Sequence, residues 1–339
     1  MKNCLITGGA GFIGTNLAAL MIQKGKKVRL LDNLSRKGVE KNLSWLETSF
    51  PNRMEFIRAD IRHFDEVQKA ARNVDTIFHL ASQVAVTSSV EDPRTDFEVN
   101  ALGTLNVLEA ARLSPERPSL LFTSTNKVYG KLAALGVRDT GTRYEFITHP
   151  EGVDESQPLD FYSPYGCSKG AADQYIHDYS RIYDLKTVVF RMSCIYGPHQ
   201  FGNEDQGWVA HFVISALLNR PIKIYGDGKQ VRDILFVEDL VQAFSQAIEN
   251  LDKTRGEVFN IGGGRKNSVS LLELLEMLEK ITGTKIQTEF YDWRPGDQKV
   301  YITNIQKASE VFGWKPRISS TEGIQMLYDW VRSNRTLFD

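Results

Sequence analysis

Thr7-Gly8-Gly9-Ala10-Gly11-Phe12-Ile13-Gly14 follows the apolar run Cys4-Leu5-Ile6 and leads into a helical segment over Thr15 to Lys24. Gly8, Gly11 and Gly14 have the spacing G-x-x-G-x-x-G. Such glycines allow a tight turn, let backbone N–H groups approach a pyrophosphate and let the helix pack on its strand. The helix N-terminus adds partial positive charge. Strand, glycine turn and helix together read as the first unit of a dinucleotide-binding fold, with the backbone of Phe12 and Ile13 facing the cofactor.

Further short apolar runs continue the pattern: Val28 to Leu31, Met54 to Ile57, Thr76 to Leu80, Leu120 to Phe122 and Thr187 to Phe190, with a helix over Gly103 to Leu113 between two of them. Continuously apolar strands alternating with helices predict a parallel sheet covered on both faces. The fold class is α/β, a doubly wound Rossmann sheet with a smaller, discontinuous α/β substrate domain at the C-terminal end. Residues 1–190 are expected to form the NAD-binding domain, with 131–160 as an insertion. Residues 191–339 are expected to be mainly the substrate domain, some segments returning to the first. Helices are expected over Val237 to Ile248 and Ser270 to Ile281. A loop as long as Lys131 to Asp160 is usually functional.

Forty-one basic and 42 acidic side chains leave a net charge of -1, which gives no field for nucleic acid or an anionic membrane. Three cysteines with no paired spacing and six histidines argue against disulfides and metal sites. The first apolar run is too short for a signal peptide, and no stretch approaches the ~18 apolar residues of a membrane span. The expectation is a soluble, cytoplasmic protein.

Asp32 ends the second strand, 18 residues past Gly14, where a carboxylate can accept hydrogen bonds from the adenosine ribose. It favours NAD over NADP, although Arg36 and Lys37 just beyond it are placed to accept a 2′-phosphate. Asn33 and Ser35 share that turn. Asp60 and Ile61 after the third strand, and Leu80 and Ala81 after the fourth, stand where adenine and pyrophosphate pass. Gln83 is a candidate contact for cofactor and sugar alike. Asn100 either caps a helix or fixes loops around the cofactor.

Tyr165 and Lys169 lie four residues apart, on one face of a helix. A free phenol has a pKa near ~10, and a fixed cation beside it favours the phenolate. The expected base is therefore Tyr165, tuned by Lys169. Forty residues before Tyr165, the strand end Thr123-Ser124-Thr125 offers a hydroxyl for the reacting oxygen. Ser124 and Thr125 point to opposite faces if the strand persists, so only one of them does this.

T-G-G-A-G-F-I-G, D-N-L-S-R, Y-x-x-x-K and Arg191-Met192-Ser193-Cys194-Ile195-Tyr196-Gly197-Pro198 resemble the extended short-chain dehydrogenase/reductase family of nucleotide-sugar enzymes. Ser124 to Gly130, Leu159 to Tyr175, Asp205 to Val209 and Gly228 to Asp233 are similar to its CDP-paratose 2-epimerases, over essentially the whole chain. The resemblance implies NAD as cofactor, Thr125 in the catalytic hydroxyl position, Tyr165 as base and Lys169 as its ribose-holding partner. Asn126 and Lys127 stand where 4,6-dehydratases carry an acid/base pair, which argues against dehydration. Arg232 and Arg294 match positions that grip the substrate diphosphate. Tyr225 is either a wall of the base pocket or a core aromatic. Asn126, Gln200 and Gln206 are further sugar contacts. Cys194 replaces an Asn common in relatives and is otherwise a small buried apolar residue.

The expected reaction is inversion at C2 of a CDP-hexose or CDP-dideoxyhexose through a 2-keto sugar, the hydride being held on bound NAD. The alternatives are a UDP-sugar 4-epimerase, a net dehydrogenase releasing NADH, and a non-catalytic dinucleotide-binding protein. The resemblance also implies a homo-oligomer, dimer or tetramer.

Overall fold

Seven strands pair into one sheet in the computed structural model, which describes residues 3–294 and 297–338. They are β1 (Asn3–Thr7), β2 (Lys27–Asp32), β3 (Met54–Arg58), β4 (Thr76–His79), β5 (Ser119–Thr125), β6 (Thr187–Met192) and β7 (Glu257–Ile261), ordered β7-β6-β5-β4-β1-β2-β3. β1 is parallel to β2 and β4, β2 to β3, and β4 to β5. The strand order reverses between β1 and β4, so a crevice opens at their carboxyl ends, the usual ligand position in such a sheet. β7 is the strand the sequence pattern does not announce, because Glu257 and Asn260 interrupt its apolar residues.

Every residue of β5 is buried, as covering both faces of a sheet requires. Three helices matter for the site: α1 (Phe12–Gln23), α2 (Gly103–Leu113) and α3 (Ser163–Tyr183). Leu5, Ile77, Leu120 and Phe122 of the sheet share one core with Val107, Leu108 and Ala111 of α2 and with Ala172, Ile176 and Tyr179 of α3. The buried side of α3 runs Tyr165, Ser168, Lys169, Ala172, Asp173, Ile176, Tyr179, a stripe at helical spacing. Asp173 on that stripe accepts two hydrogen bonds from Arg191 of β6, both 2.9 Å, and both side chains are buried.

The chain divides into two units. The first comprises the residues up to Val128, Ser163–Arg191 and Val241–Phe259; the second comprises Tyr129–Tyr162, Met192–Leu240 and the residues from Asn260 on. The segment 131–160, expected as an insertion in the first domain, belongs to the second unit. The reason is its hairpin, Val137–Asp139 antiparallel to Tyr144–Phe146. The Tyr144 amide donates to the Lys229 carbonyl (2.9 Å), the Tyr144 hydroxyl to Asp227 (2.6 Å) and Arg143 to Ser268 (2.7 Å). The second unit has its own core, including Ile222, Ile224, Ile234, Phe236, Leu274, Leu278, Ile324 and Leu327. Among the described residues no helix is long and apolar enough to cross a membrane, and no His/Cys/Asp/Glu group is arranged to hold a metal. Among the described residues Cys4, Cys167 and Cys194 form no disulfide.

Truncating Asp173 to Ala strands the Arg191 guanidinium in the core. We expect a loss of about 3–5 kcal/mol in urea unfolding. A loss below about 1 kcal/mol, the size of a surface pair, would contradict the burial argument.

Candidate active site

Gly8 has φ +69°, and a Cβ on it would lie 2.7 Å from the Ala81 amide nitrogen. Gly14 is equally crowded, since a Cβ there would stand 2.3 Å from the Gly8 carbonyl oxygen. Gly11 is more open and forms the N-cap of α1 without a side-chain cap. The first N–H groups of α1, around Phe12 and Ile13, thus have no side-chain acceptor at the cap, which suits an anion.

Asp32 ends β2 beside this turn, its Oδ2 accepting from the Ala10 amide (3.1 Å) and its Oδ1 from that of Leu34 (2.9 Å). Burial raises its pKa, opposed by the backbone donors and Arg36. The Asn33 side chain donates to Asp60 (2.9 Å), and its Oδ1 accepts from the Ser35 amide (3.0 Å). Arg62 takes both oxygens of Asp60, and although burial works the other way, these bonds bring its carboxyl down to about 2. Asp60 therefore braces the loop through Arg62 and Asn33. The Ile61 side chain is 4% exposed and faces Gly103 in the core.

A buried chain of hydrogen bonds ties β1 to β4. The Leu80 and Ala81 amides both donate to Thr7 Oγ1 (3.2 Å each), which lies 2.7 Å from His79 Nδ1. Thr104 Oγ1 donates to the Asn100 carbonyl (2.6 Å), so His79 Nε2 must donate to Thr104 (2.9 Å) and Nδ1 must accept from Thr7. His79 is thus a neutral Nε2–H tautomer. Burial and Lys169 hold its pKa down to about 3.

Asn100 sits in a π-helical turn, Glu98–Leu102. Its Nδ2 donates to Asp96 and Ser168 (3.1 Å each), and its Oδ1 accepts from Ser82 (2.8 Å) and the Gln83 amide (3.0 Å). With its amide spent inside the protein, Asn100 caps no helix and fixes the loop that carries Gln83. Gln83 donates to the Ala85 carbonyl (2.8 Å), while its Oε1 is buried with no partner among the described residues.

β5 persists through both of its terminal hydroxyls, which diverge. Thr125 is hydrogen-bonded with the Tyr165 phenol, accepts from the Lys127 amide (3.3 Å) and lies 3.4 Å from Asn126 Oδ1. Ser124 Oγ is buried without a partner among the described residues. The Lys169 ammonium stands 4.2 Å over the Phe122 ring. Burial pushes the Tyr165 phenol up to about 12, with Asp96 adding to the rise and Thr125 and Arg36 opposing it. Burial also brings Lys169 down to about 7, against the attraction of Asp173 and Asp96. Loss of water outweighs the neighbouring charges for both groups. Ser124 and Gln83 as orphaned polar atoms, the uncapped α1 terminus and the Asp32 carboxylate make a donor and acceptor set that fits a dinucleotide.

In the second unit, Gln200 is buried, donates to the Ile195 carbonyl (3.2 Å) and leaves its Oε1 without a partner among the described residues. Gln206 closes a small turn with Asn203. Arg294 lies 3.9 Å over the Tyr225 ring, which also stacks on Tyr291 at 5.6 Å and donates to Glu204 (3.3 Å). Arg294 donates to the Glu204 carbonyl (3.0 Å), and Arg232 is paired with Asp297 at 2.5 Å. The arginines are thus not idle charges: a buried guanidinium needs a counterion. Pro295 and Gly296 of the Arg294 loop lie outside the described residues. Cys194 is partly exposed and packs on the second core. Sequence reasoning missed Asp96, Ser168, His79, Glu204 and Asp297, which act through polar contacts between distant segments.

The His79 tautomer has a consequence for stability. Its folded pKa lies below the unfolded value of ~6.5, so the unfolded chain binds the extra proton and stability falls as pH drops from ~6.5 toward 3. His79→Gln removes that proton site. We expect urea unfolding between pH 7 and pH 4 to show a shallower acid slope in the variant, and an unchanged slope would contradict the assignment.

Three comparisons bear on this geometry. The family model described as GDP-mannose 4,6 dehydratase matches residues 5–327. The chain is 46% identical to a CDP-paratose 2-epimerase of Salmonella typhi, over 97% of this chain and 99% of that one. It is 35% identical to a UDP-glucose 4-epimerase of Mycolicibacterium smegmatis, over 97% and 98%. Among solved structures, the UDP-glucose 4-epimerase of Thermus thermophilus in complex with NAD superposes with a TM-score of 0.81 at 32% identity, over 97% of this chain and 99% of that one. UDP-glucuronic acid 4-epimerase from Bacillus cereus, in complex with UDP-glucuronic acid and NAD, gives 0.84 at 29%, over 98% and 99%. A seven-stranded doubly wound sheet, a glycine turn on α1, a Tyr–Lys pair on α3 and likeness along almost the whole chain lead to one conclusion: the chain belongs to the extended short-chain dehydrogenase/reductase family of nucleotide-sugar epimerases and dehydratases, a family of enzymes.

Proposed function

We propose that this protein is an NAD-dependent epimerase that inverts C2 of a CDP-hexose or CDP-dideoxyhexose, of the CDP-paratose to CDP-tyvelose type. The observation that carries this reading is 46% identity to a CDP-paratose 2-epimerase across nearly the full length of both chains. The site chemistry agrees. Asn126 and Lys127 beside Thr125 include no carboxylic acid to protonate a leaving hydroxyl, which disfavours dehydration.

NAD, when bound, supplies a reversible acceptor for the substrate hydride. The Gly8–Gly14 turn and the α1 terminus hold its pyrophosphate, Asp32 its ribose, and Ser124 and Gln83 offer the polar atoms the protein leaves unpaired. Tyr165, acting as its phenolate, takes the proton of the C2 hydroxyl and later returns it. Thr125, already hydrogen-bonded to Tyr165, donates to the same sugar oxygen and steadies its developing charge. Lys169, packed on Phe122, would steady the ribose of the bound cofactor and Tyr165. Arg232, Arg294, Tyr225, Gln200 and Gln206 would supply the grip on the nucleotide and its diphosphate, leaving the hexose less tightly held.

Incubation with CDP-paratose, CDP-glucose and UDP-glucose, followed by NMR of the products, tests the reading. We expect inversion at C2 of a CDP-sugar without accumulation of NADH. Inversion at C4 of UDP-glucose would replace it with a 4-epimerase, and accumulating NADH with a dehydrogenase. No turnover on any of them would refute it. Tyr165→Phe should retain NAD and lose about 10²–10⁴-fold in kcat. A variant with near-normal kcat would remove Tyr165 from the role of base.

A further inference from the structure

We propose that Asp96 is a positioning residue for the Tyr165–Lys169 pair, clamping the second turn of α3 through Ser168 and placing a buried negative charge beside both side chains; this rests on the reading of Tyr165 as the base. Asp96 lies in the short helix Pro93–Phe97 and is 1% exposed. Its Oδ2 accepts from Ser168 Oγ at 2.5 Å, and its Oδ1 from Asn100 Nδ2 at 3.1 Å. Ser168 falls between Tyr165 and Lys169 on the buried stripe, and its hydroxyl also lies 3.2 Å from the Tyr165 carbonyl. One hydroxyl proton cannot serve both acceptors fully, and the charged, shorter partner takes it.

A neutral amide at position 96 has one acceptor oxygen and could not serve both Ser168 and Asn100; the carboxylate supplies both acceptors and, with them, a charge that Tyr165 and Lys169 feel. Tyr165 feels Asp96 and Arg36; Lys169 feels Asp96 and Asp173, the latter already paired with Arg191, while the neighbouring His79 is neutral. Asp96 raises the affinity of both Tyr165 and Lys169 for their protons. An epimerase must return the proton as readily as it takes it. A phenol that does not become too acidic and an ammonium that stays charged suit a reaction run through the same atoms twice.

The test compares pH profiles of kcat/KM for the wild type, Asp96→Asn and Ser168→Ala. Removing the charge should move both limbs to lower pH, by about one unit. Ser168→Ala keeps the charge and loosens the turn, so kcat should fall about tenfold with the limbs in place. A readout free of turnover is the carbon-13 titration of Tyr165, in protein labelled at the tyrosine ζ carbon and assigned through Tyr165→Phe; its midpoint should drop in Asp96→Asn. Coincident profiles and an unmoved carbon-13 midpoint would overturn the proposal. If Asp96→Asn does not fold, Asp96→Glu retains the charge but misplaces it. That variant should lose kcat without a limb shift, and a shift would count against the proposal. Failure of the wild type to turn over any nucleotide sugar would refute the epimerase reading alone, leaving the carbon-13 titration to decide the role of Asp96.

Discussion

A phenol and an ammonium are stripped of water on the same stripe of α3 that packs the sheet. That burial dominates their behaviour, raising one pKa to about 12 and lowering the other to about 7. Polar neighbours counter this desolvation: Thr125 and Arg36 at the phenol, Asp173 and Asp96 at the ammonium. Low dielectric makes each of these partners count for more than it would in water. The reactive pair is thereby fixed by the helix core rather than by a mobile loop, which gives it the rigidity that proton transfer to one chosen oxygen requires.

The glycine turn obeys a second constraint, close approach of backbone to backbone. Gly8 against Ala81 and Gly14 against Gly8 leave no room for a Cβ, and Thr7, Leu80, Ala81 and His79 lock the ends of β1 and β4 together beneath the turn. The crevice is thus built from strand ends whose spacing is set by hydrogen bonds in a dry interior. A neutral histidine suits that place because it donates on one side and accepts on the other without bringing in a charge.

Much of this is legible in the chain itself. β1 to β6, α2 and the start of α1 follow from apolar runs and glycines, since a fully covered parallel strand must be apolar at every position. Tyr165 and Lys169 are visible because helical periodicity alone puts them on one face. Other features are set by contacts the linear pattern does not carry. β7 is interrupted by Glu257 and Asn260, the segment 131–160 joins the second unit through Tyr144 and Arg143, and Ile61 turns into the core against a glycine forty-two positions away. Asp96 and Ser168 lie 72 residues apart, and only folding shows that they share a proton. The protonation of Tyr165 is the deepest of these cases, because the spacing of a lysine says nothing about how much water the fold removes.

The hairpin Val137–Phe146 is tied to its own unit by contacts with Asp227, Lys229 and Ser268, and it interrupts none of the strands of the large sheet. Its tip is anchored as well, Arg143 donating to Ser268 and the Thr142 carbonyl accepting from Ser270. A change in the hairpin's length or sequence would therefore be felt first by those partners in the second unit, while the seven-stranded sheet keeps its registers.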